Sequence, residues 1–412
     1  MYGKRFDETG KQSGARIRLA VTPPRNVSQS INGRIYRTAV GEEAMLAGMP
    51  KELFRNYPLK VRHTHRRLNA VVLEIPANRA EEFRASLDSA GLAYEPVTRV
   101  YPLLKESVPM IGAPFFWKAG FTGKGVRVAV LDTGVDRRHP DLKDRIVGFR
   151  NFTRFGTEDS VGHGTHCAGI LCGGGSKYRG VAPGVELLCG KVIDAQGGES
   201  DDVIAGMSWA VSQGARIISM SLGGPGHPGD LMSRECDALA KEGVILVVAA
   251  GNEGPAPETI GSPGCALSAI TVGAVDKNGQ LTFYSSRGPV RAGRKKVHKP
   301  DLLAPGGGVV TEGRPKCMFS TGITSAKSSS MSPVPCDLAK IYTRMSGTSM
   351  ATPHVAGLAA LLLQRNPELK GPEALKKEFK KYCRSLGLSA DEQGFGLVQF
   401  EEILVASSRR RL

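Results

Sequence analysis

The chain of 412 residues has no Cys-x-x-Cys pair, no His-Glu-x-x-His and no run of about 18 uninterrupted apolar residues. The first two gaps speak against a dithiol redox centre and a metalloprotease helix, the third against a membrane span. The start, MYGKRFDETGKQSGARIRLAV, has neither a continuous apolar segment nor a small-residue cleavage site, so it does not read as a secretory signal. The cytoplasm is therefore the expected compartment, with export by an unrecognised route as the alternative. No internal repeat emerges either.

What is present fits a globular enzyme. Hydrophobic residues make up 41% and charged residues 23%, enough apolar material for a sizeable core. At this length a large domain with a smaller companion is expected. The net charge of +16 raises a nucleic-acid or membrane-surface reading. Its densest runs, RAGRKKVHK (291–299), KKEFKK (376–381) and the terminal arginines 409–411, belong to no recognised binding module and read as solvated surface. Of the eight cysteines, Cys167, Cys172 and Cys189 sit in apolar settings typical of buried thiols. Cys317 and Cys336 flank a Ser/Thr-rich loop and are a candidate disulfide, although spacing alone does not establish the pairing.

Residues 1–58 give weak signals and no assigned structure. From 59 to 104 the pattern is β-α-β: NAVVLEIP as a strand, ANRAEEFRASLDSAG as an amphipathic helix closed by Gly91, and AYEPVTRVYPLL as an extended arm. Beyond about residue 120 the chain alternates apolar strands, such as GVRVAVLD, VELLCGKVID, ARIISMSLGG, GVILVVAAGN and AITVGAV, with helical stretches. That alternation predicts a mostly parallel sheet with helices on both faces. Residues 306–343, rich in Gly, Ser, Thr and Pro, read as a long loop insertion, and 401–412 as a basic tail.

In an open α/β sheet the ligand crevice lies beyond the carboxyl ends of the strands. Asp132 ends the first strand of this series, His163 precedes an apolar helix, Asn252 ends VVAAGN, and Ser349 stands before the long helix of MSGTSMATPHVAGLAALLLQ. A carboxylate, an imidazole, a carboxamide and a hydroxyl are the parts of acyl transfer by a serine nucleophile. Each alone has a plainer reading, Ser349 as a helix cap and Asn252 as a turn residue. Together, in the order Asp, His, Ser, they exclude the α/β-hydrolase arrangement, which runs Ser, acid, His. His354 follows Ser349 by only five residues in the same helix and is expected to pack; His139 is expected to be structural.

Three blocks, DTGVDRRHPDL, GHGTHCAGI and GTSMATPHVAG, supported by SMSLGG, AAGNEG, KPDLLAPG and GFGLVQ, resemble the signature blocks of the subtilisin-like serine proteases (subtilases, peptidase S8). The resemblance spans roughly residues 105–400. It implies a subtilisin-like α/β fold, with Ser349 as nucleophile, His163 as base and then acid, and Asp132 as its orienter. It further implies Asn252 as oxyanion donor, and Ser221, Leu222 and Gly223 as the strand that pairs with substrate. Gly261 falls at the floor of the primary specificity pocket, where the missing side chain leaves room for large apolar groups; Glu253 at the rim could admit basic ones. The upstream unit resembles the family's inhibitor-I9-like propeptide, of small α+β (ferredoxin-like) fold. It implies a self-inhibited zymogen cut between Leu104 and Lys105, whose arm would lie in the cleft. Polypeptide substrates and the chain's own propeptide are the implied partners, and a monomer is expected. No cofactor is implied for catalysis. Structural calcium is common among relatives, but the loop after His163 is shorter than the one that binds it, leaving Asp141 as the candidate ligand.

Two rival functions compete: a binding module that has kept the fold but not the activity, and a metal hydrolase built on His163 and His166.

Overall fold

The computed structural model describes residues 16–22, 49–65, 70–96, 107–309 and 317–401. It divides into two compact units, Met1–Val100 and Tyr101–Leu412. No helix among the described residues is long and apolar enough to cross a membrane.

The first unit runs β1 (Arg16–Thr22), α1 (Lys51–Asn56), β2 (Lys60–His65), β3 (Ala70–Pro76), α2 (Ala80–Ser89) and β4 (Ala93–Pro96). Its four strands form an antiparallel sheet in the order β2-β3-β1-β4, the βαββαβ arrangement of a ferredoxin-like unit. Leu19, Val21, Val71, Leu73 and Ile75 from the sheet close on Phe83 and Leu87 of α2. The unit thus draws on residues upstream of 59. One central strand comes from the stretch that the sequence left unassigned, because RIRLAVT lies far from its partners and its two buried positions, Leu19 and Val21, give a short periodic signal. Gly91 adopts φ +65° just past α2, a left-handed ending that glycine takes without strain.

The second unit opens with two short helices, α3 (Ser107–Met110) and α4 (Ala113–Lys118), and is built on a nine-stranded sheet. Its early elements are β5 (Arg127–Asp132), β6 (Ile146–Asn151), α5 (His163–Cys172), β7 (Glu186–Lys191), α6 (Ser200–Ser212), β8 (Ile217–Met220), α7 (Leu231–Lys241), β9 (Ile245–Ala249) and β10 (Ile270–Val275). A hairpin, β11 (Val290–Ala292) and β12 (Lys295–Val297), then precedes β13 (Leu302–Pro305). After β14 (Ile323–Ala326), β15 (Asp337–Ala339) and β16 (Tyr342–Met345) come α8 (Thr348–Arg365), α9 (Gly371–Lys380), β17 (Cys383–Arg384), α10 (Ala390–Gln393) and β18 (Leu397–Val398). The sheet order is β17-β18-β13-β10-β9-β8-β5-β7-β6, parallel throughout except for the β17–β18 pair.

Strand alternation sorts the two faces. Val128 and Val130 of β5 join the core that contains α5 and α8, whereas Ala129 and Leu131 face α6 and α7. Helix α8 is apolar on every side because it is buried on every side: Met350 to Leu363 are all enclosed.

The stretch 306–343 is not simply a loop. Within it and just beyond, β14, β16 and β15 form a three-stranded antiparallel sheet, and a Cys317–Cys336 disulfide clips the segment that holds β14. Strands of three or four residues are too short for periodicity to announce. This sheet lies against α5: a Cβ on Gly169 would stand 2.3 Å from Ser325 Oγ.

Candidate active site

Because successive side chains alternate across a strand, Asp132 falls on the same face as Val128 and Val130, toward α5. It is fully buried at the strand end. His163 is the first residue of α5, and its Nδ1 lies 2.7 Å from Asp132 Oδ1. The same oxygen accepts the Thr133 N–H at 2.7 Å. A carboxylate only accepts, so the imidazole proton belongs on Nδ1 and Nε2 is left as the basic nitrogen. Burial pulls the His163 pKa down, but the Asp132 charge, with a smaller contribution from Cys167, overrides it and holds the ring well above 6.5. Cys167 sits one turn along, its Sγ 4.0 Å from His163 Nδ1 and 3.4 Å from the Ser349 carbonyl. Burial pushes that thiol's pKa up, which makes it a poor nucleophile.

Ser349 is the second residue of α8. Its hydroxyl donates to the Ser221 carbonyl at 3.1 Å rather than to His163. The carbonyl of Ser349 is free of its helical partner because residue 353 is proline and has no N–H to return. That orphan acceptor is claimed instead by the Ser221 hydroxyl at 2.8 Å and by the Cys167 thiol. Pro353 thus frees the Ser349 carbonyl to anchor Ser221 and Cys167.

At the start of α8 the Thr348 N–H donates to Asn252 Oδ1 at 2.9 Å, and the Thr348 hydroxyl lies 3.2 Å from the same atom. A backbone N–H can meet only an acceptor, so the carboxamide orientation is fixed and Nδ2 is left as a donor. The Ser349 N–H, one of the first-turn donors that a helix leaves unpaired, has no acceptor among the described residues.

Ser221, Leu222, Gly223, Asn252, Gly261 and Ser349 line one cleft of about 590 Å³. Apolar Ala250 and Ile260 share its wall with the exposed Glu253, whose Oε2 accepts from Ser286 Oγ at 2.9 Å. Gly261 lines this cleft, and its lack of a side chain also lets the wall close up. A Cβ on it would stand 2.1 Å from the Gly224 carbonyl, so glycine permits the close pairing of Gly224 with Ser262 that builds the wall.

Three further histidines of this unit lie against partners of their own. His166 Nε2 meets the Ile323 carbonyl at 3.0 Å, and burial drives its pKa down to about 3. His139 lies between the Ile341 carbonyl and the Asp141 N–H, and His354 between the Met350 carbonyl and Ser107 Oγ. His163 and His166 therefore do not combine into a donor set. The trio that does come together, with ligand atoms within 4.8 Å, is Asp132, His163 and Cys167.

Asp141, the candidate calcium ligand, accepts the Tyr342 hydroxyl on Oδ2 at 2.7 Å. The Leu104–Lys105 bond lies outside the described residues.

Thr133, Asp159 and Thr165 join the site without standing out in the sequence. Asp159 is buried between the end of β5 and the start of α5, where Thr133 Oγ1, Gly162 N and both Thr165 N and Oγ1 donate to it. Burial raises its pKa above the usual carboxylate value, and the four donors oppose the rise. The signal was an acid placed shortly before an N-cap, Gly162, that has no side chain of its own to cap the helix.

Residues 123–396 match the subtilase family, peptidase S8. The chain is 40% identical over 285 residues to the serine protease AprX of Bacillus subtilis, covering 63% of this chain and 61% of that protein. It is 32% identical to subtilisin E of the same species over 336 residues, 79% of this chain and 78% of the relative. Among solved structures, a protease from Pseudoalteromonas arctica superimposes with a TM-score of 0.60 at 27% identity, over 72% of this chain and 94% of its own. The chain belongs to the subtilase family of serine peptidases, with the subtilisin-like α/β fold.

Proposed function

We propose that this subtilase hydrolyses internal peptide bonds of polypeptides, with Ser349 as nucleophile, His163 as base and then acid, and Asp132 holding His163 in the required tautomer. The observation that carries the reading is the 2.7 Å contact between Asp132 and His163 Nδ1, in the same domain as a cleft that holds Ser349 beside Asn252. On substrate binding the Ser349 hydroxyl turns from the Ser221 carbonyl toward His163 Nε2, a contact that commonly tightens only when the site is filled. Oγ then attacks the scissile carbonyl while its proton passes to Nε2, and the buried Asp132 carboxylate stabilises the imidazolium. Charge developing on the carbonyl oxygen meets Asn252 Nδ2 and the Ser349 N–H, at the positive end of an 18-residue helix. His163 returns the proton to the departing amine. Water then cleaves the acyl-enzyme by the same steps, and no cofactor takes part.

Replacing Asn252 with alanine removes a donor that acts on the transition state. We expect kcat to fall about 10²–10³-fold with KM little changed. A fall confined to KM would contradict the role. The apolar wall formed by Leu222, Ala250 and Ile260 supports a broad preference for large apolar P1 residues.

The ferredoxin-like first unit acts as a propeptide in this reading, severed between Leu104 and Lys105. Sequencing the N-terminus of the purified active enzyme is expected to begin at Lys105; a start far from that bond, or an uncut active chain, contradicts it.

A further inference from the structure

We infer that Asp159 is a positioning residue for the proposed triad, locking the strand end that carries Asp132 to the helix turn that carries His163; the inference rests on the triad reading above. Asp132 and His163 come from different elements 31 residues apart, and their 2.7 Å contact needs those elements in fixed register. The first turn of α5 lies almost on the chain after β5, since a Cβ on Gly164 would stand 2.0 Å from the Gly134 carbonyl and 3.1 Å from Asp132 Cβ. No side chain caps the helix at its own N-cap, because Gly162 stands there at φ +81°. Asp159, fully buried, supplies the cap from three residues upstream.

Its two oxygens are divided between the elements. Oδ1 accepts from the Thr133 hydroxyl at 2.8 Å, next to Asp132, and from Gly162 N at 2.8 Å, next to His163. Oδ2 accepts from Thr165 N at 2.9 Å and Thr165 Oγ1 at 2.6 Å, both in the first turn of α5. The Thr133 hydroxyl closes the loop by accepting Gly164 N at 2.9 Å, and Thr165 Oγ1 accepts Asp136 N at 2.9 Å. Every donor that reaches Asp159 therefore belongs to the chain just after Asp132 or to the chain around His163. A carboxylate meets all four because it only accepts; a carboxamide would aim N–H groups at donors on one side.

The test is kcat per active site, with sites counted by stoichiometric acylation. Asp159→Asn is expected to lower kcat per site about 10²-fold while KM stays within about threefold, the scale of a misplaced catalytic group. Thr133→Val, which keeps the shape and removes the bridging hydroxyl, is expected to lower kcat per site in the same way, and Thr133→Ser to restore it. If either Asp159→Asn or Thr133→Val lowers only the thermal midpoint and the number of titratable sites, while kcat per site stays at the wild-type value, the network is merely structural and the inference falls. Should Asp159→Asn fail to fold, the Thr133 pair decides alone: equal kcat per site in the valine and serine variants overturns the positioning role. An active Ser349→Ala would instead remove the triad reading itself, so the two failures are distinguishable.

Discussion

Ser349→Ala is expected to lower kcat for peptide hydrolysis by about 10⁴-fold or more while leaving the fold intact. The substitution removes one oxygen atom. That hydroxyl makes a single hydrogen bond, to the Ser221 carbonyl, so its loss costs about 1 kcal/mol of stability at most. The interactions that hold the residue in place run through its backbone carbonyl, which still accepts from Ser221 Oγ and Cys167 Sγ. Substrate binding should therefore persist while acylation stops. The same variant is expected to remain uncut, with residues 1–104 attached, when it is made free of other proteases. Gel mobility and intact mass read this directly, and clean self-processing by the alanine variant would contradict the assignment.

Asp132→Asn is expected to lower kcat by about 10⁴-fold. Asp132 Oδ1 accepts two donors at 2.7 Å, the Thr133 N–H and His163 Nδ1–H, while Oδ2 is buried without a partner. An asparagine that keeps its oxygen toward those donors buries an unpaired NH2 group and loses the charge that stabilises the imidazolium. Turned the other way, it faces two donors with a third and drives the imidazole to the wrong tautomer. The pH profile adds an independent reading. A base works only when neutral, so activity rises with pH through the His163 pKa and is lost below it. In the wild type Asp132 holds that pKa well above 6.5 against burial, with Cys167 as the other neighbour that contributes. The acid limb of kcat/KM should thus lie on the alkaline side of 6.5 and move to lower pH in the asparagine variant. An acid limb that does not move would show that Asp132 does not set the charge on His163.

Much of this arrangement was legible in the residues. A continuous apolar run ending in Asp132 announces a buried parallel strand and, through its alternation, the face on which the carboxylate emerges. The long, mostly apolar helix after Ser349 announces a central element, since a helix with apolar residues on all its faces is stable only when buried. Two things stayed hidden because they depend on distance in the fold rather than pattern in the chain. Strand β1 is separated from β3 by dozens of residues, so its place inside the first sheet follows from tertiary pairing alone. The sheet formed by β14, β15 and β16 is made of strands too short to show a period, yet Ile323 and Ser325 hold His166 of α5.

The proposed chemistry turns on the identity of the nucleophile. Treating the active enzyme with a fluorophosphonate and mapping the adduct by peptide mass spectrometry measures it in one step. The prediction is a single stoichiometric adduct on Ser349, absent in Ser349→Ala and formed far more slowly in Asp132→Asn. An adduct on another residue, or peptide hydrolysis that continues at full rate in protein that takes up no label, would contradict it.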